Sequence, residues 1–158
     1  MKNSTVNIVY SKCSQKNTYA PFIKSTVIRA VNEILKMKYA GKILPGKRTV
    51  NILITDSGSI KALSKKYRNI DKSTNELSFS YVDDPENDII GEIVINWDEI
   101  IKDSDPTFED RKASLANVIV HALLHIFGME HGKTYGMSDI DSAKDGILKR
   151  LEENRRRK

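Results

Sequence analysis

Only one cysteine, Cys13, occurs in the 158 residues, so no disulfide can form within the chain. A lone thiol fits a reducing cytoplasm, and Cys13 lies far in sequence from the residues that carry chemistry below. Long hydrophobic runs are missing too. The longest mainly apolar stretch, Val118 to Met129, is well short of the roughly 20 residues that cross a bilayer, and it contains His121 and His125. No charged-then-apolar leader precedes a small-residue cleavage site, so the expectation is a cytoplasmic protein with no membrane partner. There is no repeat, no low-complexity segment and no Gly/Ser-rich linker, which leaves a single domain, residues 1–158, as the expected organisation. Neither sign of charge dominates: 26 Lys and Arg against 21 Asp and Glu give +5, a modest lean toward polyanions. With 39% hydrophobic and 30% charged residues the composition is globular rather than disordered.

Periodicity places the elements. Thr5–Tyr10 alternates as a first strand, with Val6, Ile8 and Tyr10 on one side. A helix is expected from Phe22 to Tyr39, burying Val27, Val31, Ile34 and Leu35, with Gly41 as its stop and a turn at Pro45–Gly46. Thr49–Thr55 reads as a second strand. Ser59–Arg68 reads as a short helix burying Ile60, Leu63 and Tyr67. Asn75–Tyr81 and Ile90–Trp97 read as two more strands, close enough in sequence to pair antiparallel. Thr107 and Asp110 make a capping box for a helix over Phe108–Phe127, which Gly128 ends. A last helix, Ser138–Asn154, turns Ile140, Ile147, Leu148 and Leu151 inward. Strands alternate with helices throughout. The expected class is α+β: a small mixed four-stranded sheet packed with helices, zincin-like, with a metal site on the central helix.

The chain has 3 histidines, and all lie in HALLHIFGMEH, residues 121–131. His121 and His125 are one turn apart on the same face of a helix. Gly128 lets the chain reverse, so His131 can swing back to the same point. The neighbours Leu123, Leu124, Ile126 and Phe127 are apolar, and an imidazole cluster without a ligand is costly to bury there. Three neutral imidazoles with a vertex left for water suit catalytic zinc, although iron, nickel and copper also accept imidazole. The spacing follows the extended zinc-protease pattern H-E-x-x-H-x-x-G-x-x-H, but Ala122 stands where a protease has its general-base glutamate. Glu130, beside His131, reads as an outer partner of the site in preference to a substitute base.

The same segment resembles the hallmark of the YbeY family, bacterial single-strand-specific endoribonucleases of ribosomal RNA maturation, H-G-x-L-H-L-x-G-[YH]-[DE]-H. Two further segments follow in the family's order. Leu63–Phe79, LSKKYRNIDKSTNELSF, is similar to L-N-x-x-[YF]-R-x-x-D-x-x-T-[DN]-V-L-S-F, and Gly91–Asn96, GEIVIN, is similar to G-[DE]-I-x-I-[SC]. Ala122, Met129, Asn96 and Ser64 depart from the pattern, and Glu76 stands where the family has an apolar strand residue.

The resemblance implies a zinc-dependent endoribonuclease with one ion per chain on His121, His125 and His131. It implies single-stranded or ribosomal RNA as substrate, the small ribosomal subunit as partner, and a role in 16S rRNA 3′-end maturation and ribosome quality control. The family's activity-linked arginine falls on Arg68. Periodicity adds that Lys61, Lys65 and Arg68 form one basic face of the short helix, suited to phosphates or simply to solvent. The tail Arg155–Lys158 has the ordinary reading of a solvated helix end. Tyr67 or Tyr81 offers a ring for a base, against a role in the core. Zinc would supply an activated water, with attack by the RNA's own 2′-hydroxyl as the other route. The competing functions are a non-catalytic ribosome-assembly factor with a structural metal, and another zinc hydrolase such as a peptidase.

Overall fold

The computed structural model describes residues 5–13, 18–38, 43, 46–102, 107–134 and 139–156. The elements run β1 (Thr5–Tyr10), α1 (Ala20–Ile34), β2 (Thr49–Thr55), α2 (Ser57–Arg68), β3 (Glu76–Ser80), β4 (Ile89–Asn96), α3 (Trp97–Lys102), α4 (Phe108–Ile126) and α5 (Ile140–Arg156). The sheet has the order β1-β2-β4-β3. β1, β2 and β4 are parallel, while β3 joins β4 antiparallel as the expected hairpin. This is the α+β architecture, a four-stranded mixed sheet with helices, read from the sequence.

Alternation sorts the side chains between two cores. Val50, Ile52 and Ile54 of β2 and Ile93 and Ile95 of β4 face one side, where they join buried residues of α1, α4 and α5. Val94 and Leu77 face the other side and pack with Ile60 of α2, with Leu53, Leu63 and Phe79 around them. Because Leu77 and Phe79 go to α2, the intervening Glu76, Ser78 and Ser80 face α4. Ser80 is fixed there: its hydroxyl donates to the carbonyl of Ile126 at 2.7 Å.

Several boundaries differ from expectation. The first helix begins at Ala20 and takes Pro21 into its first turn, where a missing N–H costs nothing. It ends at Ile34, and 35–38 form a turn that leaves Leu35 38% exposed instead of buried. Tyr39, Gly41, Pro45 and Ser138 lie outside the described residues, as do Arg157 and Lys158. Asp56 accepts from the Ser59 amide and starts α2 at Ser57. Short α3 was not expected; Asn96 supplies its signal, accepting from the Asp98 amide at 3.2 Å. Among the described residues, no helix is long and apolar enough to cross a membrane.

Candidate metal centre

The last turn of α4 builds the centre. Thr107 accepts from the Asp110 amide and opens the helix, as the capping box predicts. At the other end Gly128, with φ of 88°, makes a left-handed turn. Its amide donates to the His125 carbonyl, and the Met129 amide donates back to Leu124, each at 2.9 Å. These two bonds are the Schellman closure, and they bury Met129 against the helix end. The same turn carries the Met129 carbonyl to Nδ1 of His125, at 2.8 Å. A carbonyl can only accept, so His125 bears its proton on Nδ1 and presents a free lone pair at Nε2.

All three histidines then converge through Nε2. The His125 and His131 nitrogens lie 3.1 and 3.3 Å from that of His121. Each ring offers one atom to a common point, within 4.8 Å of the others. Four-coordinate binding at about 2.0–2.1 Å requires neighbouring nitrogens about 3.3 Å apart, so the spacing fits a tetrahedral cation. His121 and His125 are also held neutral. Burial, then the neighbouring His125, pushes the His121 pKa down to about 4. Burial lowers that of His125 as well, against the opposing pull of its bond to Met129. Neutral, mutually facing acceptors are a ligand set that only a cation or protons relieve.

The surroundings come from three more segments. Lys144 and Asp141, from the start of α5, both act on the His121 charge. Arg68, the last residue of α2, acts on His125. Its guanidinium is exposed and enters no ion pair among the described residues, whereas Lys61 and Lys65 both reach Asp71, at 3.7 and 3.4 Å. Lys61, Lys65 and Arg68 are thus all at the surface, and Arg68 acts on His125. Glu130 is exposed and forms an ion pair with Lys133, and that contact holds its carboxyl below the usual range. Ala122 is fully buried.

Tyr67 corrects one expectation. It is 56% exposed, with the Lys66 ammonium 4.9 Å from its ring and Phe79 edge-on at 5.4 Å. Its ring lines an open groove over the sheet with Leu53, Leu63, Phe79 and Tyr81, beside the small α2 core. Tyr81 is half-buried, and its hydroxyl donates to Glu92 at 3.3 Å. Sequence reasoning missed the Met129 carbonyl; G-M after the second histidine was its signal. It also noted Glu76 only as a departure, although that side chain is partly buried on the face of β3 turned toward α4.

The three motifs, their order and the convergence of the histidines all agree with a match to the family model described as endoribonuclease YbeY, over residues 12–152. The chain belongs to the YbeY family. A relative from Moorella thermoacetica, named endoribonuclease YbeY, is 25% identical over 148 residues, spanning 87% of this chain and 95% of its own length. Another of that name, from Roseiflexus castenholzii, is 30% identical over 139 residues, covering 82% of this chain and 85% of its own. A solution structure of a Thermotoga maritima protein has the same fold, with a TM-score of 0.54 over 96% of this chain and 91% of that one, at 18% identity. YbeY relatives therefore match this chain across sheet and metal centre alike.

Proposed function

We propose that the chain is a metal-dependent endoribonuclease that cuts single-stranded RNA, with one zinc ion held by His121, His125 and His131 and with Arg68 on the scissile phosphate. The observation that supports it most is the meeting of three Nε2 atoms at one point, with Arg68 acting on one of the rings. All-imidazole donors with an open vertex favour zinc. Such an ion acidifies a coordinated water toward pKa 7 and polarises a phosphoryl oxygen.

The chain's own groups do the rest. The Met129 carbonyl keeps the His125 proton on Nδ1, so that Nε2 stays aimed inward. Arg68 forks two phosphate oxygens and neutralises charge that grows as the phosphorus is attacked. Lys61 and Lys65, already shared with Asp71, add a weaker, salt-sensitive attraction for flanking phosphates. Ala122 provides no proton acceptor, which disfavours a peptidase. This reading takes residues 1–158 as one domain, zincin-like in the placing of its metal helix. It extends to cytoplasmic work on the small ribosomal subunit, in 16S rRNA 3′-end maturation and ribosome quality control.

The test pairs two variants on a defined single-stranded RNA. His125→Ala should lose both bound metal and cleavage. Arg68→Glu should keep its metal and cut at least ~100-fold more slowly, the scale of losing one donor to a developing oxyanion. Cleavage that persists in His125→Ala would overturn the proposal in favour of a non-catalytic assembly factor. The product ends assign the nucleophile: a cyclic phosphate marks the 2′-hydroxyl, an open phosphate marks water.

A further inference from the structure

Helix α2 covers only part of its side of the sheet. Strand register sets two rows of side chains across that face. In the row Val9, Leu53, Val94 and Leu77, the last two are buried with Ile60 of α2. The neighbouring row, Asn7, Asn51, Glu92 and Phe79, lies in an open groove of about 580 Å³. Three rings border this groove: Tyr67 from α2, Phe79 from β3 and Tyr81 just after it. Its floor is unsuited to phosphate, because Glu92 would repel it. The Glu92 carboxylate accepts N–H and O–H donors instead; it already takes the Tyr81 hydroxyl, and its other lone pairs can take more. The rim is basic, with the Lys66 ammonium 4.9 Å from the Tyr67 ring. That rim and the net charge of +5 favour a polyanion over a second copy of the chain. The groove meets the metal centre at β3, the outer strand of the sheet. Phe79 faces the groove, whereas Ser80 faces the other way and holds the carbonyl of Ile126, the residue after His125. Tyr67, likewise, immediately precedes Arg68.

We infer that the groove walled by Tyr67, Phe79 and Tyr81 is a nucleobase subsite for single-stranded RNA, where a base beside the scissile phosphate stacks on a ring and donates to Glu92. This rests on the nuclease reading. Every base has a π-face for stacking and an N–H group on its Watson–Crick edge, so the subsite tolerates sequence. A duplex keeps those faces and edges occupied by its own bases, so the subsite selects unpaired strands.

The test uses the full-length, metal-loaded protein with Tyr67→Ala and Tyr67→Phe. The exposed ring of Tyr67 can be removed without opening the core. In Tyr67→Ala, kcat/KM on single-stranded RNA should fall about tenfold, the scale of one lost base–aromatic stack. Tyr67→Phe, which keeps the ring, should retain the wild-type value. An abasic nucleotide, moved stepwise along the RNA, should reproduce the loss at one position beside the cut in the wild type and cost nothing further there in Tyr67→Ala. A wild-type rate in Tyr67→Ala would overturn the inference and leave this face to a protein partner. An equal loss in Tyr67→Phe, or abasic losses that add in full at every position, would overturn it as well. A second readout does not depend on cleavage. Single-stranded RNA carrying 5-iodouridine, irradiated on the protein, should crosslink at Tyr67, Phe79 or Tyr81, and the absence of crosslinks at all three would overturn the subsite. If wild type cuts no RNA, the nuclease reading fails, whereas the crosslinks still decide whether bases enter the groove.

Discussion

At Glu76, burial pushes the carboxyl pKa from its ordinary 4.5 up to about 7, with Arg68 opposing. The folded chain thus holds this proton more tightly than the unfolded one does. The stability it contributes is complete below pH 4.5 and is lost as pH rises through 7. Glu76→Gln has no such loss. Relative to wild type it should therefore gain on the order of 2 kcal/mol between pH 5 and pH 8, after discounting for partial solvation. Denaturant unfolding of both proteins at the two pH values measures this. A constant gap would mean that the carboxyl is solvated. The histidines titrate in both proteins and cancel in the comparison. The residue scale is also where sequence and structure part most clearly. Three histidines in one short segment could be read directly, since their spacing and chemistry make a single demand. Glu76 was visible only as a departure, because which face of β3 packs on α4 depends on Leu77 and Phe79 choosing α2. Tyr67 looked buried by helical spacing, but its ring borders an open groove over the sheet and stays largely exposed.

Among the elements, the contact that aims the metal helix lies at Gly91. A Cβ there would meet the Phe79 carbonyl at 2.7 Å and Cδ1 of Ile126 at 2.8 Å. The Phe79 carbonyl cannot yield without moving β3, and Ile126, the residue after His125, also crowds the position with Cγ2 at 3.0 Å. Gly91→Ala should cost about 1–3 kcal/mol, the usual range for overpacking. It should also weaken metal binding by displacing His125. Thermal unfolding and a metal titration check the two effects together; a loss of stability with unchanged affinity would place the strain in β3 alone. Thr107→Ala, at the far end of the same helix, should cost about 1 kcal/mol through its lost cap and leave the metal site intact, as the same two measurements would show. The four strands and the cap of α4 were readable from sequence, whereas the Asp56 cap that starts α2 was not. The six-residue α3 was not, for it completes too few turns to show a period. The Gly91 contact was not readable either, since a glycine in a strand pattern does not reveal which side chain approaches it.

For the whole molecule, the centre ties together three successive pieces of the chain: the end of α4, the loop carrying His131, and the start of α5, whose Lys144 and Asp141 act on His121. In the folded state the three imidazoles are brought to one point, and in the unfolded chain they are not, so a cation favours the fold by mass action. At free metal about 100 times its dissociation constant the gain is about 2.7 kcal/mol. That is a visible rise in melting temperature for a domain of this size. Chelation should remove it, zinc should restore it, and His125→Ala should show neither response. The sheet and the α2 core contain none of these ligands, so the chelated protein should keep its strands and lose order first around His131. Hydrogen exchange resolves that prediction: equal loss of protection in β2 and near residue 131 would mean that the cation holds up the entire fold, not one corner of it.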